Sequence, residues 1–305
     1  MKRLTFIFCF AFAGAVYAET WNCGPETNGV YSDSVQCTLD DEGNFTVSGT
    51  GNMGDYYYAK IDGLNTSSAP WFGKTIYHVT IDDGITGVGA NAFAFNPQLK
   101  SVSGMKDVTV FGSMAFNQDY GLQSFEVPEN LHYIGDNALQ SDYNLGGQVF
   151  ELSDTLEFVG INALKFDGLF VISDSLDTSA WDERPFHGYT PTFVCKGDIS
   201  GCQNAIAKFI QKSEGGIGTC ERTDCLSPES YTLKEADKSK CNGVNYYWTG
   251  ERCNRRNGEG FVECAEGYYA NNLDLCEKIK LRYTLPEADA ATSDDFENTI
   301  EWIFE

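Results

Sequence analysis

Four segments between residues 79 and 164 repeat one pattern: VTIDDGITGVGANAF (79–93), VSGMKDVTVFGSMAF (102–116), FEVPENLHYIGDNAL (125–139) and FELSDTLEFVGINAL (150–164). The offsets between them are 23, 23 and 25 residues, so one unit carries a two-residue insertion. Aligned, the segments share apolar, glycine and alanine columns: Val79, Val102, Phe125 and Phe150; Ile85, Val108, Leu131 and Leu156; Val88, Phe111, Ile134 and Val159; Gly89, Gly112, Gly135 and Gly160; Ala92, Ala115, Ala138 and Ala163. Such a period is typical of a leucine-rich-repeat solenoid.

The columns predict how the coils stack. Each unit is too short to bury its own apolar face, so the coils must pack on one another around a continuous core. We expect one short strand per coil, in a parallel ladder with neighbours about 4.8 Å apart. These strands are placed around residues 79–81, 102–104, 125–127 and 150–152. The glycine column predicts a sharp turn, or an approach to the next coil too close for a side chain.

The segment before the repeats, residues 19–75, is predicted to cap the open core of the first coil. Residues 41–43 read as a turn, and Asn44–Ser48 as a strand. Trp71 and Phe72 are expected to plug the first coil. Three consecutive tyrosines, residues 56–58, cannot all face inward, so at least one is expected on the surface.

Past residue 169 the repeat decays. Residues 169–172 and 192–195 are short β-prone runs that predict irregular terminal coils within residues 170–212. The segment Gln203–Lys212 reads as an amphipathic helix that closes the solenoid. The predicted fold class is therefore mainly β: a leucine-rich-repeat solenoid with coils of about 23 residues over 76–169, an N-terminal β cap, a short capping helix and a small disulfide-rich C-terminal region.

Residues 1–18 carry the pattern of a secretory signal peptide. Lys2 and Arg3 precede the apolar run 4–15, and Val16-Tyr17-Ala18 offers a small-residue cleavage site. The remaining chain has no stretch long and apolar enough for a transmembrane segment. We therefore expect export, with the mature chain extracellular, on the cell surface or in the periplasm.

The cysteines fit an oxidising compartment. Of eleven, Cys9 lies in the signal peptide, which leaves an even number as disulfide candidates: Cys23, Cys37, Cys195, Cys202, Cys220, Cys225, Cys241, Cys253, Cys264 and Cys276. Cys23 and Cys37 bracket a short loop, and a Cys195–Cys202 pairing would attach the predicted helix to the last strand. The six cysteines of the module 213–277 allow 15 pairings, which stay open. Zinc is the competing interpretation, but Cys-x-x-Cys pairs and histidines are missing from this module, so no metal is expected.

The C-terminal residues contain a smaller repeat. YTLKEAD at 231–237 recurs as YTLPEAD at 283–289, and each contains Thr-x-x-Glu, the capping box that begins many helices. We therefore predict a short helix at each position. Residues 278–305 as a whole read as a small strand-helix-strand element.

The net charge of −23 argues against nucleic acid and anionic lipid as partners. Only three histidines are present: His78, His132 and His187. His78 and His132 neighbour core positions and should therefore point to solvent. The sequence contains no nucleophile elbow, phosphate-binding glycine loop or HExxH helix. No catalytic residue and no cofactor are predicted, so the chain is not expected to be an enzyme.

The repeat resembles that of the bacterial BspA-type surface leucine-rich-repeat proteins in its matching positions: Val79, Ile81, Ile85, Val88, Gly89, Ala92 and Phe93. The cap sequence at 39–56, together with SAPWF at 68–72, resembles the segment that precedes the repeats in that family. Where the family often has Gly-Cys, this chain has Asn96-Pro97, Asp119-Tyr120 and Asp142-Tyr143. That rim is therefore predicted to be acidic and aromatic.

The resemblance implies adhesion to host proteins, matrix proteins or other cells. The predicted partner-binding surface consists of outward strand positions and rim tyrosines: Thr80, Ser103, Tyr120, Glu126, Tyr143 and Glu151. The partner would be a protein or cell-surface ligand, and the oligomeric state is open. The alternative hypothesis is a structural spacer of the cell envelope that is attached through the cysteine-rich C-terminal region.

Overall fold

A computed structural model describes residues 18–140, 145, 149–212 and 218–235, together with the backbone of short strands at 246–248, 253–256, 262–263, 268–270 and 276–278. The chain winds into a β-solenoid of about five coils, with a β cap at one end and, among these described residues, one short helix near the other. The predicted fold class is confirmed.

The cap supplies the first strands: β1 (Glu19–Asn22), β2 (Glu26–Thr27), β3 (Val30–Tyr31), β4 (Val35–Leu39), β5 (Asn44–Gly49), β6 (Gly51–Asn52), β7 (Tyr58–Ile61) and β8 (Leu64–Ser67). β1, β4 and β5 pair antiparallel. The predicted turn at 41–43 forms because one Asp40 carboxylate oxygen accepts the N–H groups of Glu42 and Asn44, at 2.9 and 2.8 Å. Cys23 and Cys37 are joined by an S–S bond of 2.07 Å.

The repeats supply the next strands: β9 (His78–Ile81), β10 (Ile85–Val88), β11 (Ser101–Ser103), β12 (Val110–Phe111), β13 (Ser124–Phe125), β14 (Tyr133–Ile134), β15 (Val149–Glu151) and β16 (Phe158–Val159). The prediction of one strand per coil is wrong, because each coil contributes two. The first ladder runs β1-β4-β5-β9-β11-β13, and the second runs β6-β10-β12-β14-β16. The second strand forms because the next apolar columns also contain β-branched and aromatic residues that pair in register, as Val88 does with Phe111 and Phe111 with Ile134.

A third side of each coil, which we call the loop side (residues 89–99, 112–122 and their equivalents), is also bonded from coil to coil. The N–H of Phe93 donates to Ala115 at 2.9 Å, and that of Phe95 to Asn117 at 2.7 Å. The next coil repeats this, since Phe116 donates to Ala138 at 2.9 Å. Three rows of backbone hydrogen bonds therefore hold the coils together.

The glycine column follows from close approach. A Cβ atom on Gly112 would lie 2.4 Å from the backbone nitrogen of Ala90, and one on Gly135 would lie 2.5 Å from that of Ser113. The left-handed turn falls two residues later, at positive φ values near 55° on residues mostly of one type: Asn91, Met114, Asn137 and Asn162. Asparagine tolerates this conformation better than most residues. The sequence pattern contains this asparagine column, which the sequence analysis missed.

Aromatic rings fill the core from end to end. Trp71 is buried against Phe45 at a centroid distance of 4.9 Å, and its indole N–H donates to Ala92 at 2.7 Å. Trp71 thus plugs the first coil, as predicted. The prediction is wrong for Phe72, which is 37% exposed and follows Trp71 in a turn where its N–H donates to the Ala69 carbonyl at 2.9 Å.

The first ladder is interrupted between β13 and β15, where the two-residue insertion falls. The remaining elements of this region are, in chain order, β17 (Leu169–Ser173), β18 (Thr192–Lys196), α1 (Ile199–Ala207) and β19 (Thr232–Glu235). The ladder resumes in the order β15-β17-β18-β19. The two terminal runs predicted as strands, 169–172 and 192–195, are confirmed as β17 and β18.

The predicted helix Gln203–Lys212 is displaced. It begins at Ile199, because the Asp198 side chain accepts the N–H groups of Ser200 and Gly201 as an N-cap. It ends at Ala207, because residues 211 and 212 donate instead to the segment 218–226. The buried face still includes Ile206, as expected. Cys195 and Cys202 lie at bonding distance, 2.02 Å, between β18 and α1.

The helix predicted at 231–237 is wrong, because Thr232–Glu235 forms β19 and pairs parallel to β18. Tyr231 packs against Phe193 at a centroid distance of 6.3 Å, so the open edge of the ladder outweighs the local capping pattern. Farther along, the backbone forms small antiparallel units from β20 (Tyr246–Trp248), β21 (Cys253–Arg256), β22 (Val262–Glu263), β23 (Tyr268–Ala270) and β24 (Cys276–Lys278). The helix predicted at 283–289 lies outside the described residues, as does all of the predicted 278–305 element except Lys278.

Candidate recognition surfaces

The predicted ladder residues lie on the outward face of the first ladder. Thr80 is exposed and Ser103 is half-buried. Strand register aligns them with three threonines of the cap, so that one row of hydroxyl groups crosses five strands: Thr20, Thr38, Thr46, Thr80 and Ser103. Within the described residues these five hydroxyl groups form no hydrogen bond to the protein. We call this the hydroxyl row.

The two predicted glutamates are engaged within the fold. One carboxylate oxygen of Glu126 accepts the N–H of Gly104 at 2.7 Å, and Glu151 forms an ion pair with Lys196. Both therefore stabilise neighbouring strands and are already engaged within the fold, unlike the hydroxyl row.

The outward face changes toward the C-terminal end. The outward positions Val171 and Val194 are fully buried, and Val149 and Leu169 pack against them. The same face is thus polar on the first coils and apolar and covered on the last.

The predicted rim falls on the loop side, a different side of the coil from the ladder residues. Tyr120 is exposed there, and its hydroxyl donates to Gln118 at 2.9 Å. The rim is not acidic at Asp119, which is fully buried and accepts the N–H of Asn96 at 2.8 Å. Burial raises the pKa of the Asp119 carboxyl well above its usual range. Tyr143 and Asp142 lie outside the described residues.

The cap hairpin, residues 57–68, presents an apolar face that the sequence analysis did not single out. β7 and β8 form a separate two-stranded sheet, joined at Asp62-Gly63, two residues with positive φ. By alternation and register, Tyr57, Ile61 and Leu64 share one face. They are 69%, 59% and 71% exposed. The Asp-Gly turn between alternating residues was the available sequence signal.

The opposite face of the cap hairpin points to the body of the protein. Tyr58 contacts Phe95 at a centroid distance of 5.9 Å, and its hydroxyl donates to Asn65 at 3.0 Å. The Ser67 hydroxyl is buried and donates to the carbonyl of Asn91 at 2.8 Å. Of the predicted tyrosine run, Tyr56 is buried and the other two are exposed, so the expectation of at least one exposed tyrosine is confirmed.

A cleft of about 200 Å³ opens between residues 67–76 of the cap and residues 92–98 of the first coil. Its lining includes two aromatic residues, Phe72 and Phe95, and three polar residues, Asn96, Gln98 and Thr75. The sequence alone does not predict this cleft, because the cleft forms only when the cap segment folds back beside the first loop side.

The histidines form local hydrogen bonds. His78 Nδ1 lies 2.8 Å from the Ser101 hydroxyl, His132 Nδ1 lies 3.1 Å from a Glu157 oxygen, and His187 Nδ1 lies 3.3 Å from the Asn162 side-chain oxygen. Within the part of the chain that the structure describes, no cluster of His, Cys, Asp or Glu is arranged to hold a metal ion. Among the described residues, no helix has the length and apolarity needed to cross a membrane.

Comparison with known proteins agrees with this geometry. The family described as BspA type leucine rich repeat region matches residues 69–167, in six copies. No curated protein matches the chain significantly. Repeat regions of this kind typically serve protein recognition rather than catalysis.

Two solved structures are similar in part. A leucine-rich repeat protein from Eubacterium ventriosum ATCC 27560 is 23% identical, with a TM-score of 0.46, over 67% of this chain and 52% of its own. A leucine rich cell surface protein from Faecalibacterium prausnitzii A2-165 is 13% identical, with a TM-score of 0.27, over 84% of this chain and 64% of its own. The chain thus spans about half the length of the first of these proteins. Residues 69–167 therefore match the BspA type leucine rich repeat region in six copies.

Proposed function

We propose that this protein is an exported, non-enzymatic recognition module that adheres to proteins on cell surfaces or in the extracellular matrix. The observation that carries the proposal is the apolar face of the cap hairpin. Tyr57, Ile61 and Leu64 share one face of an isolated two-stranded sheet, each more than half exposed. Exposed apolar side chains grouped in this way are typical of protein contact sites, because their burial against a partner releases water.

The surroundings of this face favour a basic partner. Asp55 precedes the cap hairpin and Asp62 lies in its turn, whereas Lys60 falls on the opposite face by alternation. The chain as a whole carries a net charge of −23, which would steer a cationic partner toward it and repel a second copy. The hydroxyl row is a polar surface that crosses the cap and the first two coils on another side, and it would add specificity.

A retention experiment with the full mature chain, residues 19–305, tests the proposal. Biotinylated protein is presented to intact cells and to matrix extract, and retained proteins are identified by mass spectrometry. We expect the double variant Ile61→Thr/Leu64→Thr to lose at least about tenfold in affinity for the retained proteins, since two apolar contacts are removed. Val30→Thr is the matched control, because Val30 is 67% exposed on the separate β2–β3 hairpin.

The alternative is a spacer attached through the C-terminal region. The observation that favours it is the burial of the outward residues Val171 and Val194. On the last coils, this face is therefore covered by other residues of the chain and is not available to a partner. Retention that is equal for the wild type, the double variant and the control would contradict recognition through the cap hairpin and favour the spacer.

A further inference from the structure

We propose that the cleft between the cap and the first loop side binds one neutral hexose unit of a glycan. This site is distinct from the apolar face of the cap hairpin, which points away from it. The cleft volume of about 200 Å³ has room for a single sugar ring, and the opening leaves space for the rest of a chain to continue into solvent.

The lining of the cleft matches the two-sided chemistry of a sugar. A hexose has an apolar C–H face and a rim of hydroxyl groups that both donate and accept. Phe72 and Phe95 offer ring surface for the C–H face. The Gln98 amide and the Thr75 hydroxyl both donate and accept as well, and the Asn96 oxygen can accept while its nitrogen donates to the Ile76 carbonyl at 3.4 Å, so these groups suit the rim.

The charge of the cleft also favours a neutral ligand. The chain has 44 acidic residues among 305, yet none lies among the fifteen residues that line the cleft. The single charged residue there, Lys74, is paired with Glu19 at 2.7 Å and lies over the Trp21 ring at 5.8 Å. A neutral ligand would therefore enter without desolvating a carboxylate, which would be costly.

The backbone of Phe95 supplies an independent observation. Phe95 has φ 64°, a left-handed conformation that is unfavourable for a bulky side chain. The equivalent residue of the next coil, Gln118, has φ 61° and a polar side chain, so the position does not require an aromatic residue. Strain kept at a cleft-lining residue is typical of binding sites, because the side chain is retained for contact despite its cost to the fold.

The neighbours of Phe95 hold its ring for stacking. The Tyr58 ring contacts it at a centroid distance of 5.9 Å, and Tyr58 is itself fixed by its hydrogen bond to Asn65. The indole N–H of Trp71 is not available to a ligand, because it donates to the Ala92 carbonyl.

An extended peptide would be recognised mainly through a free strand edge. Because the lining residues belong to no strand except Ser67, a sugar fits this cleft better than a peptide does.

Saturation-transfer NMR on the full mature chain tests this site. The probes are the methyl glycosides of glucose, galactose, mannose and N-acetylglucosamine at millimolar concentration. We expect transfer to the C–H protons of at least one sugar, and about tenfold weaker binding of that sugar by Phe95→Asn and by Phe72→Ala, because each removes one stacking face.

Three controls separate this site from others. Tyr133→Thr removes an exposed aromatic residue on the second ladder, and Gln140→Ala changes an amide elsewhere on the loop side; both should leave sugar binding unchanged. Ile61→Thr/Leu64→Thr should also keep sugar binding, even where protein retention is lost. The inference is overturned if none of the four sugars shows transfer, or if transfer persists in both cleft variants. Circular dichroism confirms that each variant is folded.

Discussion

The loop sides of the first and second coils share one backbone and differ in their side chains. Phe95 and Gln118 occupy the same left-handed position, and each donates its N–H to the next coil, at 2.7 and 2.9 Å. One residue later, Asn96 lines the cleft, whereas Asp119 is fully buried. The same turn thus carries a strained aromatic residue in one coil and a buried carboxyl in the next.

This difference distinguishes the residues that determine the backbone of the solenoid from the side chains that vary between its coils. The apolar columns, the glycine column and the coil-to-coil hydrogen bonds set the backbone, and they are the same in both coils. The side chains of other positions, such as Phe95 and Asp119, differ between the two coils on that shared backbone. Departures from the repeat are therefore the places to look for function or for conditional stability.

The largest expected effect comes from breaking the shared backbone. In Gly112→Val, the new Cβ would lie 2.4 Å from the Ala90 nitrogen and 2.8 Å from its Cα, which are backbone atoms that cannot move aside. We expect a loss of about 3 kcal/mol or more in the free energy of unfolding, measured by chemical denaturation. Glu126→Gln is the control, because the amide oxygen can still accept from Gly104, and its change should stay within about 0.5 kcal/mol. Equal losses would contradict the repeat register.

A smaller effect is expected when the second coil is made like the first. Asp119→Asn keeps an oxygen that can accept from Asn96, and it removes the ionisable group. Burial raises the pKa of Asp119 in the folded state, so the unfolded chain releases its proton first as the pH rises. The wild type therefore loses stability as the pH rises above about 4, the unfolded pKa. The variant should be more stable at pH 7.

The pH profile of unfolding tests this assignment. The stability difference between Asp119→Asn and the wild type should shrink as the pH falls, and it should be small below about pH 4, where both states of the wild type are protonated. A difference that does not change between pH 3 and pH 7 would contradict a raised pKa at Asp119.

The smallest effect is expected in the asparagine column. Met114 is the only one of the four described column members that is not asparagine, and its φ is 59°. Met114→Asn should raise the free energy of unfolding by about 0.5–1 kcal/mol, because asparagine suits the left-handed conformation. One coil further along, the Asn162 amide nitrogen donates to the Asn137 side-chain oxygen at 3.1 Å. The new amide at position 114 would lie next to Asn137 in the equivalent place. A decrease measured by thermal unfolding would contradict this explanation of the column.

Much of the fold could be predicted from the sequence, because it depends on residues that recur at a fixed spacing. The columns through Val79 and Ile85 placed the core, and the run of turn residues at 41–43 placed a cap strand. The second strand of each coil was missed, because strands as short as Val110–Phe111 carry no alternation of their own. The helix start was missed, because the Asp198 cap lies ahead of the amphipathic pattern.

The candidate surfaces were harder to predict, because they depend on contacts that do not repeat. Glu126 was chosen from its outward position, but its carboxylate bonds Gly104 in the neighbouring strand. Asp119 was expected on an acidic rim, and only the folded loop side buries it. Ile61 and Leu64 read as ordinary alternating strand residues until the hairpin is known to be isolated from the main sheets.

The most direct test of the account measures stability and sugar binding together in Phe95→Asn. If the backbone is set by the repeat and Phe95 is kept for contact, the variant should unfold at a temperature equal to or above that of the wild type, because asparagine relieves the left-handed strain. Its binding of the preferred methyl glycoside should fall about tenfold in the same preparation. A variant that is less stable and still binds the sugar fully would contradict the account, because Phe95 would then serve the fold rather than the ligand.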